Sequence, residues 1–424
     1  MVSFTLFLLA ASGLLLSKKL LDDFFSPPAV YNFFWCFALG CLELGWIDYE
    51  PLRAGGWQVI WLGYAGFMGG CLVLTAYGMG KKGWRNAQPA FQHLDRKKLE
   101  RVLIVMFALG IFGFVVQLAH LQFSIGLGSF ISDPMRARED HTNIKYLGFF
   151  NILNVSNFVL ALMYLVLYQR PRKWVVLIML WALATTFVTT DRTRFFYMVI
   201  WAFYVGAYLF RRLDLSPRLI FAAGATFLAL FGFFLLIAKI YKKEAFSDNA
   251  EYVNVGEELA PLVDPYIYLT GSFPVLQAFL DDHHEHTHGR RSFEPYVKVI
   301  EVVYPEFERA EIVGKFYRVP IELNACTYLE PYYKDWGIAG ILIGSLVSGL
   351  IAMTAYFVMR QRKTLFSVYL SSLLTFCVTI SIFVNHFVAT ATLYFVIVGY
   401  IVYRLTHTKE PQPISDFRPK IFNI

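Results

Sequence analysis

Arginine placement is the chemical feature of this chain that calls for an explanation. Thr189–Phe196 reads TTDRTRFF with an apolar run on each side, so Asp191, Arg192 and Arg194 share a hairpin of a few residues. Further arginines stand in PMRARED (Pro134–Asp140), at Arg290–Arg291, and at Arg318 within YRVPIELNACTYLEPYYKDWG (Tyr317–Gly337). A guanidinium is charged at any physiological pH, and its planar fork matches phosphate oxygens in bidentate fashion. Fixed cations of this kind suit a departing diphosphate, whose negative charge grows toward the transition state. Such a transfer also needs a base for the attacking hydroxyl, a task open to Glu, Asp or His.

Each of these residues has a plainer reading beside the chemical one. An isolated arginine on a membrane protein is most often a headgroup anchor or an ion-pair partner. Arg192 and Arg194 are constrained in direction by their short hairpin, although Asp191 allows a structural ion-pair knot. Arg138 is balanced between the two readings, and at least one of Arg290 and Arg291 reads as solvated. DDHHEHTHG (Asp281–Gly289) offers His283, His284, His286, His288 and Glu285 as metal ligands, but not in the spacing of an established site. The expectation is therefore no metal and no cofactor, with His288 left as a substrate contact. Glu43 is the one acid well inside an apolar run, so it is either functional or an interfacial partner for an arginine. His386 opens the last apolar run and reads as a polar turn residue. The tyrosines at Tyr328–Tyr333 offer rings for stacking on sugars.

The elements that must position these residues are membrane helices. The chain has 424 residues, 57% hydrophobic and only 16% charged, where a soluble domain has about a quarter charged. Its apolar blocks have the length of bilayer-crossing helices. The pattern predicts an all-α polytopic membrane protein with about eleven spans: 2–17, 28–46, 57–77, 102–122, 147–168, 174–190, 195–210, 219–238, 336–358, 364–384 and 387–403. Residues 1–238 then hold eight spans, 239–335 a long loop, 336–405 three spans, and 406–424 a tail. Short loops on one side carry 22 Lys/Arg against six on the other. The positive-inside rule puts the richer set in the cytoplasm, the N-terminus outside and the C-terminus inside. The net charge of +7 thus reports topology, and no nucleic-acid partner is expected. The long loop carries 10 Lys/Arg against 17 Asp/Glu, and Pro261–Leu280, interrupted by Pro265, Gly271 and Pro274, predicts short interfacial helices. Of five cysteines only Cys326 faces outside, which implies no disulfide framework. The arginines therefore collect on the outer face of a bacterial-type inner membrane, against the usual bias. A diphosphate there suggests a polyprenyl lipid carrying a sugar.

This arrangement resembles the Wzy-type oligosaccharide repeat-unit polymerases, within the O-antigen polymerase/ligase group. The stretches that carry the resemblance are TTDRTRFF, YLTGSFPVLQAFL, GRRSFEPYVKVI and NACTYLEPYYKDWGIAGILIGSLVSGL, over roughly residues 130–350. It implies a metal-independent GT-C-like glycosyltransferase. The nascent glycan would move from undecaprenyl diphosphate to the next lipid-linked repeat unit, with lipid-linked donor and acceptor, membrane lipids and a chain-length regulator as partners. By similarity Arg192 and Arg194 would grip the diphosphate, followed by Arg138 and Arg318. Glu322 would be the base, with Asp191 and His288 in reserve, while Arg290, Tyr328 and Glu43 would contact substrate. An O-antigen ligase of the same group would share the donor and differ in the acceptor. A polysaccharide or lipid transporter is the rival of another class. It should show internal repeats and polar residues near mid-membrane, whereas these spans are nearly free of charge.

Overall fold

The computed structural model describes residues 1–79, 94–124, 148–168, 172–189, 192–209, 250–282, 285–304 and 314–408, with isolated positions between them. The apolar runs become helices because hydrocarbon leaves the backbone no partner but itself. They are α1 (Val2–Leu21), α2 (Pro27–Leu42), α3 (Ala54–Met79), α4 (Arg96–Ser124), α5 (Gly148–Tyr168) and α6 (Lys173–Thr189). Next comes α7, made of Arg192–Phe196, a π turn at Tyr197–Trp201 and Ala202–Leu209. The loop region supplies α8 (Ala260–Thr270), α9 (Ser272–Asp281) and α10 (Glu294–Val303), then a two-stranded antiparallel hairpin, β1 (Tyr317–Arg318) and β2 (Glu322–Leu323). The chain ends on α11 (Glu330–Gln361), α12 (Leu365–Ile380) and α13 (Thr390–Thr406). Among the described residues α1, α3, α4, α5 and α11 are long and apolar enough to cross a membrane. Helices α2, α6, α12 and α13 are apolar but shorter. This is a helical membrane protein. The expected span 219–238 lies almost wholly outside the described residues.

The chain divides into two compact units. The first comprises Met1–Ala87, Lys243–Gln361 and Leu374–Leu393. Here α3 and α11 approach at glycines. A Cβ on Gly70 would stand 2.3 Å from the Leu346 carbonyl, and one on Gly349 2.2 Å from that of Phe67. Small residues let two backbones meet closely where lipid supplies no hydrophobic drive for association. The buried rings of Tyr31, Trp35, Phe67, Phe273 and Tyr328 fill the core. Tyr31 stacks on Phe67 at 4.0 Å between centroids, and Trp35 meets Phe273 edge-on at 5.7 Å.

The run Pro261–Leu280 forms two short helices, as expected. Pro265 lies inside α8 without ending it, and the joint falls at Gly271, between α8 and α9. Each helix packs one face inward, while Pro261 and Leu262 of α8 stay exposed. Val263, Tyr266 and Ile267 of α8 pack with Cys41, Ile47 and Ile321, and the Tyr266 hydroxyl donates to the Cys41 carbonyl at 2.8 Å. In α9 the residues Ser272 to Gln277 are all buried. Part of the apolar density that suggested interfacial helices is core packing.

The second unit comprises Gln88–Lys242, Arg362–Leu373 and Tyr394–Ile424. Its α4–α5 pair is joined by a polar ladder. Asn154 donates to the Gly110 carbonyl at 3.2 Å and to Asn151 Oδ1 at 3.0 Å, Asn157 donates to the Met106 carbonyl at 3.0 Å, and Asn151 donates to Gln117. Gly110 makes the room, since its Cβ would overlap Asn154 Oδ1. At the other end of the pair, Glu100 pairs with Arg96 at 3.0 Å and Arg172 at 3.1 Å and accepts from the Tyr164 hydroxyl. This extends α4 back to Arg96.

Candidate functional site

The first unit is organised around a buried carboxylate. The run EPYYKDWG does not simply open a span. It forms a helical turn that breaks at Trp336 and Gly337, where Gly337 takes φ 62°, ψ −145°, backbone territory open essentially to glycine alone. The break leaves Asp335 fully buried, facing the turn that runs from Thr287 to Ser292. Asp335 accepts the Thr287 hydroxyl, the Arg291 N–H at 3.2 Å and the Ser292 N–H at 2.6 Å. The Lys334 carbonyl accepts the Thr287 N–H at 3.0 Å. Beside it the largely buried pair Arg291–Glu330 closes at 3.3 Å, and buried Glu294 accepts from Thr390. Sequence reading missed Asp335, Glu294 and Glu330. The available signal was three acids among aromatics and prolines, in a region where buried charge requires a partner.

Of the expected residues on this turn, Arg290 is exposed and Arg291 is a structural pair partner. His288 adopts φ 47° ahead of Gly289 at φ 93°, so its position serves a left-handed turn, and its ring is exposed. His283 and His284 lie outside the described residues. Among the described residues no three metal-ligating side chains converge. Glu43 caps the end of α2 and is exposed, rather than lying inside a span. Tyr328 is enclosed and cannot stack on a sugar. Its hydroxyl donates to the Gly63 carbonyl at 3.3 Å and stands 3.0 Å from that of Tyr31, and its own carbonyl accepts from Asn385 at 2.8 Å. That expectation for Tyr328 is corrected: aromatic density here is core.

Arg318 and Glu322 are brought together. They face each other across the β1–β2 hairpin, and both are exposed. Directly opposed opposite charges stabilise such a pair by a few tenths of a kcal/mol up to about 1 kcal/mol. Arg318 also lines a cleft of about 310 Å³ with Glu50, Gln277, Asp281, Asp282, Lys315 and Tyr317. Asp282 takes Lys315 at 2.9 Å and the Tyr317 hydroxyl at 3.2 Å, while Asp281 takes Arg53 at 3.2 Å and Gln277 at 3.1 Å. Burial, with Asp282 beside it, holds the Tyr317 hydroxyl protonated well above its ordinary range. Three carboxylates against two cations suit hydroxyl donors better than a diphosphate.

The second unit holds the hairpin arginines. Arg192 is the first residue of α7, Arg194 is half-buried, and the π turn follows within two residues. π turns inside helices frequently mark functional sites. This one is locked by Trp201, whose indole donates to the Ser372 hydroxyl at 2.9 Å, and by Tyr197 against Phe395 at 5.1 Å. Arg192 and Arg194 are the first and third residues of α7, and the positive end of a helix favours an anion. Asp191 and Arg138 lie outside the described residues. Comparison of the chain with protein-family models, with curated proteins and with solved structures returns no match.

Proposed function

We propose that the protein is a membrane glycosyltransferase. It extends a surface polysaccharide from polyprenyl-diphosphate-linked repeat units at the outer face of the cytoplasmic membrane, across about eleven spans in a GT-C-like arrangement. The observation that carries this reading is the pair Arg192 and Arg194 at the N-terminal turn of α7. Like charge at the positive helix end costs about 0.3–1 kcal/mol per residue, an expense a bound diphosphate offsets. As the glycosidic bond breaks, the growing charge on the departing diphosphate strengthens that contact, so the cations act on the transition state. Glu322 is the proposed base for the acceptor hydroxyl, a role the resemblance implies, and Arg318 stands opposite it on the hairpin. Within the first unit, the carboxylate-rich cleft lined by Arg318 offers acceptors for sugar hydroxyls.

The test is incubation of the purified protein in nanodiscs with polyprenyl-diphosphate-linked oligosaccharide. A product ladder supports polymerisation. A single shift onto lipid A core indicates a ligase. The buried asparagine ladder of α5 lends the transport reading the mid-membrane polarity it requires, and unchanged substrate would favour that reading. The double variant R192A/R194A is expected to fold and insert normally and to lose the ladder. Undiminished long product from it removes the arginines from the site.

A further inference from the structure

The helix α10 has two faces of opposite fate. Glu294 and Val297 are buried against the unit, Glu294 holding Thr390. The other face is apolar and bare: Phe293 53%, Tyr296 57%, Val299 64%, Ile300 42%, Val303 65% and Tyr304 67% exposed. Such a stripe at helical spacing is too large to leave in water without a reason. What covers it is indicated by its continuation. The Phe293 ring meets the Trp336 ring at 6.0 Å between centroids, edge-on, and Gly289 lies against both rings. Trp336 is exposed at the break where the long apolar run of α11 begins, and that run exposes Ile338, Leu342, Ile343 and Val347. A spanning helix turns such residues to hydrocarbon, and a tryptophan at its end marks the headgroup level. The bare face of α10 is therefore continuous with a lipid-facing surface at the depth where the bilayer begins. Lys298 and Glu301, half-exposed on its flanks, and the tyrosine hydroxyls fit the polar side of that boundary.

We propose that α10 lies in the membrane interface with Phe293, Tyr296, Val299 and Val303 sunk into the upper acyl region. The occupant of the face is lipid, not a second protein chain. The inference is independent of any reaction. It also sets Arg290, exposed on the turn just before α10, at the depth of lipid phosphates.

The experiment is site-directed spin labelling of the full-length protein in lipid nanodiscs. Cys326→Ser supplies the background, because the other four cysteines are buried. Single labels go to Val299→Cys, Val303→Cys and Lys298→Cys. At Val299 and Val303, collision with oxygen is expected to exceed collision with a soluble nickel chelate severalfold, and Lys298 should show the reverse order. Nickel access at Val299 and Val303 would put the face in water and overturn the proposal. Protection from both reagents would show a protein cover, including a second copy, and overturn it equally.

Discussion

Asp335 shows what a single buried charge does in this protein. Its carboxylate collects two backbone N–H groups and a hydroxyl from Thr287–Ser292, so one residue on α11 fixes the turn that presents Arg290. Leucine in its place leaves three donors without an acceptor, at about 1–3 kcal/mol each. Asp335→Leu is expected to lower the unfolding temperature and open residues 285–293 to protease, while Asp335→Asn, which retains a carbonyl, loses less. The pair Arg291–Glu330 obeys a related rule. Removing one partner strands a mostly desolvated charge, at about 3–5 kcal/mol, whereas removing both costs little. Arg291→Met should therefore destabilise, and adding Glu330→Met should restore most of the loss, read as unfolding temperature in detergent. If the double variant is as weak as the single, the pair is not desolvated in the folded protein.

At the scale of elements, hydropathy located a helix in ten of the eleven expected segments, with boundaries off by up to six residues, as at Arg96 and Glu330, because a bilayer leaves an apolar run few alternatives. It failed where polarity and packing compete. The run Pro261–Leu280 packs on Cys41 of α2 and stacks Tyr268 on Phe383, and no periodicity in one segment identifies its partner. Tyr328 looked like a sugar platform for the same reason. The Arg318–Glu322 pairing had a local signal in the four-residue spacing around a proline, whereas Asp335 reaching the Thr287–Ser292 turn joins segments more than forty residues apart. The break in α11 was legible only as a Trp-Gly pair. Gly337→Ala tests it: φ 62°, ψ −145° costs a side-chain-bearing residue about 1–3 kcal/mol, so the variant should be less stable and should loosen the same turn as Asp335→Leu. Gly70→Val should be worse, since its side chain would meet the backbone of α11 rather than a movable side chain. The expected sign is loss of folded protein in detergent, measured by size-exclusion recovery.

For the whole molecule the decisive quantity is sidedness. Short loops carry 22 Lys/Arg on one side and six on the other, a bias that orients a nascent protein as it inserts. The loop between α2 and α3 should face outward and the loop between α11 and α12 inward. Asp48 and Arg362 are exposed on those two loops. In a Cys326→Ser background, Asp48→Cys should react with a membrane-impermeant maleimide on intact spheroplasts, and Arg362→Cys only after permeabilisation. The reverse labelling would put Arg192, Arg194 and Arg318 on the cytoplasmic face. A lipid-linked glycan displayed outside could not reach them there, and the transferase reading would fail even if every local contact held. With the expected labelling, product formation should also survive chelation by EDTA, because guanidinium groups rather than a divalent ion neutralise the leaving diphosphate. Loss of product on chelation, restored by zinc, would instead make the histidine tract at His283–His288 part of the site.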